Sequence, residues 1–371
     1  MGTHEPVGPV PAPEAFEDQS EAGQLSQAAL LLSVGAAAAG HADIVPTDEH
    51  LELPALHPLR ATTPMDVGEA TRYVDLSVAD HLARPDLRIE PVAVAPLARR
   101  LVDRPDPGLA ASMIEASQHS PHRVVRTAAT VAALDTTGPR EDLLARLADD
   151  ARARDELVRE LARIGLGRVA PDHEALDNVV VRSPARTRRS KPSNTAVLTH
   201  GTFSARTRWW RPGGRFHAYL TGLDDAGRVD PPLHPHDPSF QWTGYYSEAA
   251  RTQAADELAS WLVDQQLEQP DLFGHSHGAT VANLATRQGT RFARLVLLSW
   301  PVHEAWIFDP GMVDRVIDVR VRSDLVIIAD RGGQSIRNPA GNVTSHVNGW
   351  FRHDLSYDPG YWERHGLPEL L

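Results

Sequence analysis

The sequence predicts an all-helical N-terminal region followed by an α/β region built on a mostly parallel sheet. Residues 25–180 read as helices punctuated by Pro and Gly, with no alternating strand among them. Residues 183–194, "SPARTRRSKPSN", are polar, basic and bracketed by prolines, as a linker is. Beyond it, short apolar runs alternate with helical patterns, the order that builds a parallel sheet with helices on its faces. The expected division is a tail over 1–24, a helical accessory domain over 25–182, the linker over 183–194 and an α/β domain over 195–371.

At 371 residues the chain has room for a buried core and an accessory unit of about a hundred residues or more. Its 49 acidic and 37 basic side chains leave a formal charge of −12, which argues against a nucleic-acid partner. Lys191 is the only lysine, and there is no cysteine, so disulfides and thiolate metal sites are excluded. The most apolar early run, "LSQAALLLSVGAAAAG" at 25–40, is short for a bilayer and interrupted by Gln27, Ser33 and Gly35, so a helix is expected and an integral membrane segment is not. Glu14, Glu17, Asp18 and Glu21 precede it and the first Arg or Lys is Arg60, which is not the pattern of a secretory signal; a cytoplasmic protein is the expectation.

The tail, rich in Pro, Glu and Ala, carries little to bury. Within the helical region "HRVVRTAATVAAL" (122–134) and "DELVRELARIGLG" (155–167) match at an offset of 33 residues, setting Val125-Arg126 over Val158-Arg159, Ala129 over Ala162 and Val131 over Ile164. Second helices of HEAT-type repeats look like this, and so do two helices of an ordinary bundle that share a composition.

In the α/β region "TAVLTHG" (195–201), "RLVLLSW" (294–300) and "RVIDVRVRSD" (315–324) are candidate strands. In the last of these Asp318 alternates with the apolar residues and is expected to meet solvent. "SEAARTQAADELASWLVDQQL" (247–267) gathers Ala254, Leu258, Trp261 and Leu262 on one helical face behind Ser247 as N-cap. In "DLFGHSHGATVANLA" (271–285) a strand near Phe273 runs into Gly274-His275-Ser276-His277-Gly278, and a helix follows that ends near Gly289. This G-x-S-x-G context sets a serine on a tight strand-to-helix turn as a nucleophile.

A serine nucleophile needs a base and a carboxylate that orients it. "VNGWF" is the expected last strand and leaves His353 before a C-terminal helix as the base, with His346 as the alternative. Asp324, at the end of the alternating strand, is the expected acid, and Asp330 takes its place if "LVIIAD" is the strand. Backbone N–H groups of His277 and of Thr202, in "LTHGTFS" (198–204), are the expected oxyanion donors. Trp209, Trp210, Phe216 and Tyr245 are candidate pocket walls, each with core packing as the competing reading. His234, His236 and Asp237 have some metal-ligand character but no second cluster, so neither a metal nor a cofactor is expected.

Residues 195–371 resemble the α/β-hydrolase superfamily, and "HGTF" with "GHSHG" is similar to bacterial lipases and esterases. The resemblance implies Ser276 as nucleophile, Asp324 as acid, His353 as base, and Thr202 and His277 as oxyanion donors. It departs from the family in lacking obvious early strands upstream of "TAVLTHG", unless 175–183, "ALDNVVVRS", supplies one. The expected activity is hydrolysis of a small-molecule or lipid-like carboxylic ester through an acyl-serine. A thioesterase or acyltransferase would use the same residues. The rival from another class is a non-catalytic binding protein whose helical repeats hold a protein partner.

Overall fold

Four-residue "AVLT" is apolar on both faces because both faces of its sheet are covered. It forms β1 (Ala196–Thr199) in a computed structural model that describes residues 21–41, 107–177, 195–228, 233, 240–336 and 339–371. The other strands are β2 (Asp271–His275), β3 (Phe292–Leu298), β4 (Val313–Arg322) and β5 (Val343–Trp350). They pair in parallel in the order β1-β2-β3-β4-β5. Beside β1, a single parallel bridge from Ala196 to Leu233 touches the sheet's open edge.

Among the described residues, the helices before β1 are α1 (Glu21–Ala38), α2 (Pro107–Ser117), α3 (Arg123–Thr137), α4 (Glu141–Asp150), α5 (Glu156–Val169) and the single turn α6 (Glu174–Asp177). Interleaved with the strands are α7 (Arg215–Asp225), α8 (Glu248–Asp264), α9 (His277–Arg287), α10 (Leu325–Asp330) and, after β5, α11 (Pro359–Arg364). The chain is thus a helical region followed by an α/β region with a parallel sheet flanked by helices.

Side-chain alternation along each strand divides the sheet's core in two. Val197, Leu272, Leu295, Leu297 and Val316 pack with Ala254, Ala255 and Leu258 of α8 and Val281, Ala282 and Ala285 of α9. Ala196, Leu198, Phe273, Val296, Leu298, Ile317 and Val319 pack with Phe216, Leu220 and Leu223 of α7 and Trp362 of α11. Ser247 caps α8, its Oγ accepting from Ala250 N at 3.1 Å.

Glu21 opens α1, so the last residues of the expected tail are helical; residues 1–20 and the linker lie outside the described residues. Of the possible early strand, 175–177 is helical and 178–183 is not described. Asp318 is a correction. It does not meet solvent: its side chain is 1% exposed and pairs with Arg320 Nε at 2.8 Å. Residues two apart on a strand share a face, and the flanking structure buries this one.

The 33-residue echo has a structural counterpart. Val125 and Val158, Ala129 and Ala162, and Val131 and Ile164 are buried in one cluster. Arg126 Nη1 donates to Ser120 O at 2.6 Å and Pro121 O at 2.8 Å, and Arg159 Nη1 donates to Ala153 O at 3.0 Å and Arg154 O at 3.2 Å. Each arginine ties its helix to the turn before it in the same way.

This helical core does not stop at the sheet. Leu325, Val326, Ile328 and Ala329 of α10, together with Phe203 and Phe351, belong to the same buried cluster as α1, α3 and α5. Asp135 of α3 pairs with Arg168 of α5 and, at 2.8 Å, with Arg331 just after α10, and Arg168 also donates to Ala329 O.

Candidate active site

The carboxyl ends of the strands carry unusual backbone. Among the described residues seven non-glycine positions have positive φ, and Phe203, Ser276, Ser299, Ser323 and Phe351 of these stand just past strand ends. Such conformations persist only where the surroundings over-determine them, and they gather at functional sites.

Ser276 lies between β2 and α9 at φ 52 and ψ −131, with its N–H donating to Leu298 O at 2.8 Å. The two flanking glycines are required by contact. A Cβ on Gly274 would stand 2.6 Å from Ala279 Cα, and one on Gly278 would stand 2.5 Å from His200 O. Gly201 closes the site from the β1 exit, where a Cβ would come within 2.7 Å of Ser276 Cβ and 3.3 Å of its Oγ. Ser276 is 7% exposed.

β4 ends after a register shift between Arg320 and Arg322, two residues before Asp324. Asp324 caps α10, its Oδ1 accepting from Val326 N at 3.0 Å and Ile327 N at 3.3 Å. Its Oδ2 accepts from His353 Nδ1 at 2.7 Å, and because a carboxylate only accepts, the proton sits on Nδ1. His353 Nε2 is buried without a hydrogen-bond partner among the described residues. Burial depresses the imidazole pKa, but the charge and hydrogen bond of Asp324, with Glu160 and Asp354 behind them, outweigh it and raise the pKa above its ordinary value.

Beside His353 stands His275, its ring 4.4 Å from that of His353, centroid to centroid. Burial, with the His353 charge behind it, holds His275 well below its ordinary pKa, so this ring is neutral and does not compete as a base. Thr202 and His277 flank the elbow. Phe203 N–H is taken by Gly244 O at 2.9 Å, whereas Thr202 N–H and, at the first position of α9, His277 N–H donate to none of the described residues.

The residues expected as alternatives stand elsewhere. His346 lies within β5, paired in register with Val319, and Asp330 ends α10 against His277 and His303. Of the expected pocket walls, Trp209 reaches the site: it stacks on Tyr357 at 4.2 Å and meets His275 edge-on at 5.3 Å. Trp210 is 1% exposed and lies 4.8 Å from the His200 ring in the layer beneath. Phe216 and Tyr245 are corrections. Phe216 is wholly buried against Phe273 and Trp362, because the α7 face it occupies is the one turned to the sheet. Tyr245 turns to the helical region, its hydroxyl donating to Pro171 O at 2.9 Å and bonded to Asp172.

Sequence reasoning missed Glu160, on α5. Its carboxyl is half-buried and pushed up to about 7, chiefly by burial, while the positive charge of His353 pulls the other way. The helical region therefore supplies charge to the site. His234, His236 and Asp237 lie outside the described residues, among which no His, Asp and Glu group suits a metal. Among the described residues no helix is long and apolar enough to cross a membrane.

No family model matches the chain, and a search of curated proteins finds no match to it.

Proposed function

We propose that the chain is a serine hydrolase of the α/β-hydrolase kind that cleaves a carboxylic ester through an acyl-serine. The observation that carries this reading is Ser276 on its strained turn, with the buried His353–Asp324 pair at the exits of the same sheet. His353, its Nδ1 proton committed to Asp324, has its Nε2 lone pair for the Ser276 proton. Attack on the ester carbonyl makes an oxyanion, which the Thr202 and His277 N–H groups meet. His353, now protonated, gives its proton to the leaving alcohol, and then activates the water that releases the acid.

Thioester cleavage or acyl transfer to an alcohol is the second reading. The low exposure of Ser276, 7%, and of His353, 3%, favours keeping it, because a covered acyl-enzyme can exclude water in favour of another acceptor. Turnover of ester and thioester panels of short to long acyl chain by the full chain, with and without an added alcohol, tests both. Ser276→Ala and His353→Ala should each abolish turnover. Wild-type turnover in Ser276→Ala refutes the acyl-serine, and no turnover of any member by folded protein favours the binding-protein reading.

A further inference from the structure

Asp330 is a buried carboxylate that the triad leaves unused. It closes the short helix that Asp324 opens, and its side chain is 2% exposed. Its Oδ1 accepts from the Tyr246 hydroxyl at 2.6 Å and from His277 Nε2 at 3.0 Å, and its Oδ2 accepts from His303 Nε2 at 2.9 Å. These donors come from the segment before α8, the first residue of α9 and the segment after β3.

The other side of the His277 ring is filled as well. Its Nδ1 lies 3.1 Å from Thr280 Oγ1, which lies 3.1 Å from Trp300 Nε1. An indole N–H can only donate, so Thr280 accepts from Trp300, and because the Asp330 carboxylate on Nε2 can only accept, the neutral His277 ring leaves Nδ1 to accept the Thr280 hydrogen. The His277 proton then sits on Nε2, facing Asp330. Burial pushes the His277 pKa down to about 4 against the pull of Asp330, so the ring is neutral near pH 7. Burial also disfavours the Asp330 charge, but His277 and His303 outweigh it and hold Asp330 well below its ordinary pKa, so the carboxylate is ionised and accepts their N–H donors. His277 is thereby fixed in one tautomer and one orientation.

His277 directly follows the strained Ser276, and its side chain is the first one of α9. We propose that Asp330 is a positioning residue: by gripping His277 from α10, it holds the first turn of α9, and with it the Ser276 elbow and the His277 N–H, in reactive geometry. One short helix then sets both halves of the site, orienting the base through Asp324 and the nucleophile through Asp330. The helical region fixes that helix in turn, through Arg168 on Ala329 O and Asp135 on Arg331. This inference rests on the reading of Ser276 as nucleophile.

The test is the rate at which a fluorophosphonate modifies full-length wild type, Asp330→Asn and Asp330→Ala, followed by intact mass across pH, with folding checked by circular dichroism and melting. Asp330→Ala should react about 10²-fold more slowly per folded molecule, the scale of a misplaced reacting group. Asp330→Asn should fall between, since its amide oxygen still accepts from one imidazole. The pH of half-maximal rate should stay at the wild-type value, because Asp324 and His353 are untouched. Wild-type rates in folded variants overturn the proposal alone, as does a shifted half-maximal pH, which would mean that Asp330 acts through His353. If Asp330→Ala does not fold, Asp330→Asn decides by the same criterion. A wild type without an adduct on Ser276 overturns the nucleophile reading and this proposal with it.

Discussion

One oxygen of Asp324 takes the His353 Nδ1 proton at 2.7 Å, while the other caps α10 from Val326 and Ile327 N–H at 3.0 and 3.3 Å. The His353 imidazole is therefore oriented by a carboxylate that is itself built into a helix end. In Asp324→Asn the amide oxygen can keep the cap, and the amide N–H₂ then faces His353 and forces the opposite tautomer. Ester turnover should fall about 10⁴-fold with little change in melting temperature. Asp324→Ala should lose the cap as well, at a further cost of about 1 kcal/mol in stability. Turnover of Asp324→Asn within about tenfold of wild type would remove Asp324 from the triad.

Gly278→Ala drives a methyl group to within 2.5 Å of His200 O and 2.9 Å of Thr199 O, backbone atoms that cannot step aside. The first turn of α9 must shift, at about 1–3 kcal/mol in stability. Reactivity of Ser276 toward an acylating agent should fall by more than that stability loss explains. Gly213→Ala, at a position open to solvent but of positive φ, serves as the comparison and should cost stability without touching reactivity.

Glu160 lends negative charge to His353 and helps to raise its pKa. Glu160→Gln removes that charge, so the acid limb of the pH–rate profile should move to lower pH. Glu160 itself is pushed up to about 7, above the 4.5 of an ordinary glutamate, so it favours the folded state below 4.5 and that contribution is lost as pH rises through 7. The melting temperature of Glu160→Gln relative to wild type should therefore climb between those limits. An unmoved limb would place Glu160 outside the electrostatic reach of the base.

Asp135, 2% exposed, is shared by Arg168 and Arg331. Asp135→Ala leaves two arginines without their carboxylate where the helical region meets α10, and should destabilise the full chain by about 3–5 kcal/mol, read by denaturant melting. A chain beginning at residue 195 would expose Leu325, Val326, Ile328 and Ala329, which the helical region buries, and should not fold alone. A stable, cooperative unfolding transition from that truncation would contradict the shared core.

Local pattern made much of this legible. The run into Gly274, the two elbow glycines and the following amphipathic helix place Ser276, and strand order places Asp324 and His353 at successive exits. What escaped is what leaves no periodic mark. His277 and Asp330 are 53 residues apart, and their pairing depends on the first residue of α9 meeting the last residue of α10. Glu160 belongs to a helix whose sequence advertises only its buried Val158, Leu161 and Ala162 face. Asp318 misled because alternation assigns a face without saying whether that face is covered. Phe216 and Tyr245 misled because an aromatic near a motif has the same composition whether it walls a site, fills a core or ties down a neighbouring helix.

The most direct measurement is intact mass and peptide mapping after treatment of the folded, full-length chain with a fluorophosphonate, wild type beside Ser276→Ala. The account predicts one adduct, on the peptide carrying Ser276, absent from the variant and suppressed in His353→Ala. No adduct on folded wild type, or an adduct that survives in Ser276→Ala, would contradict it.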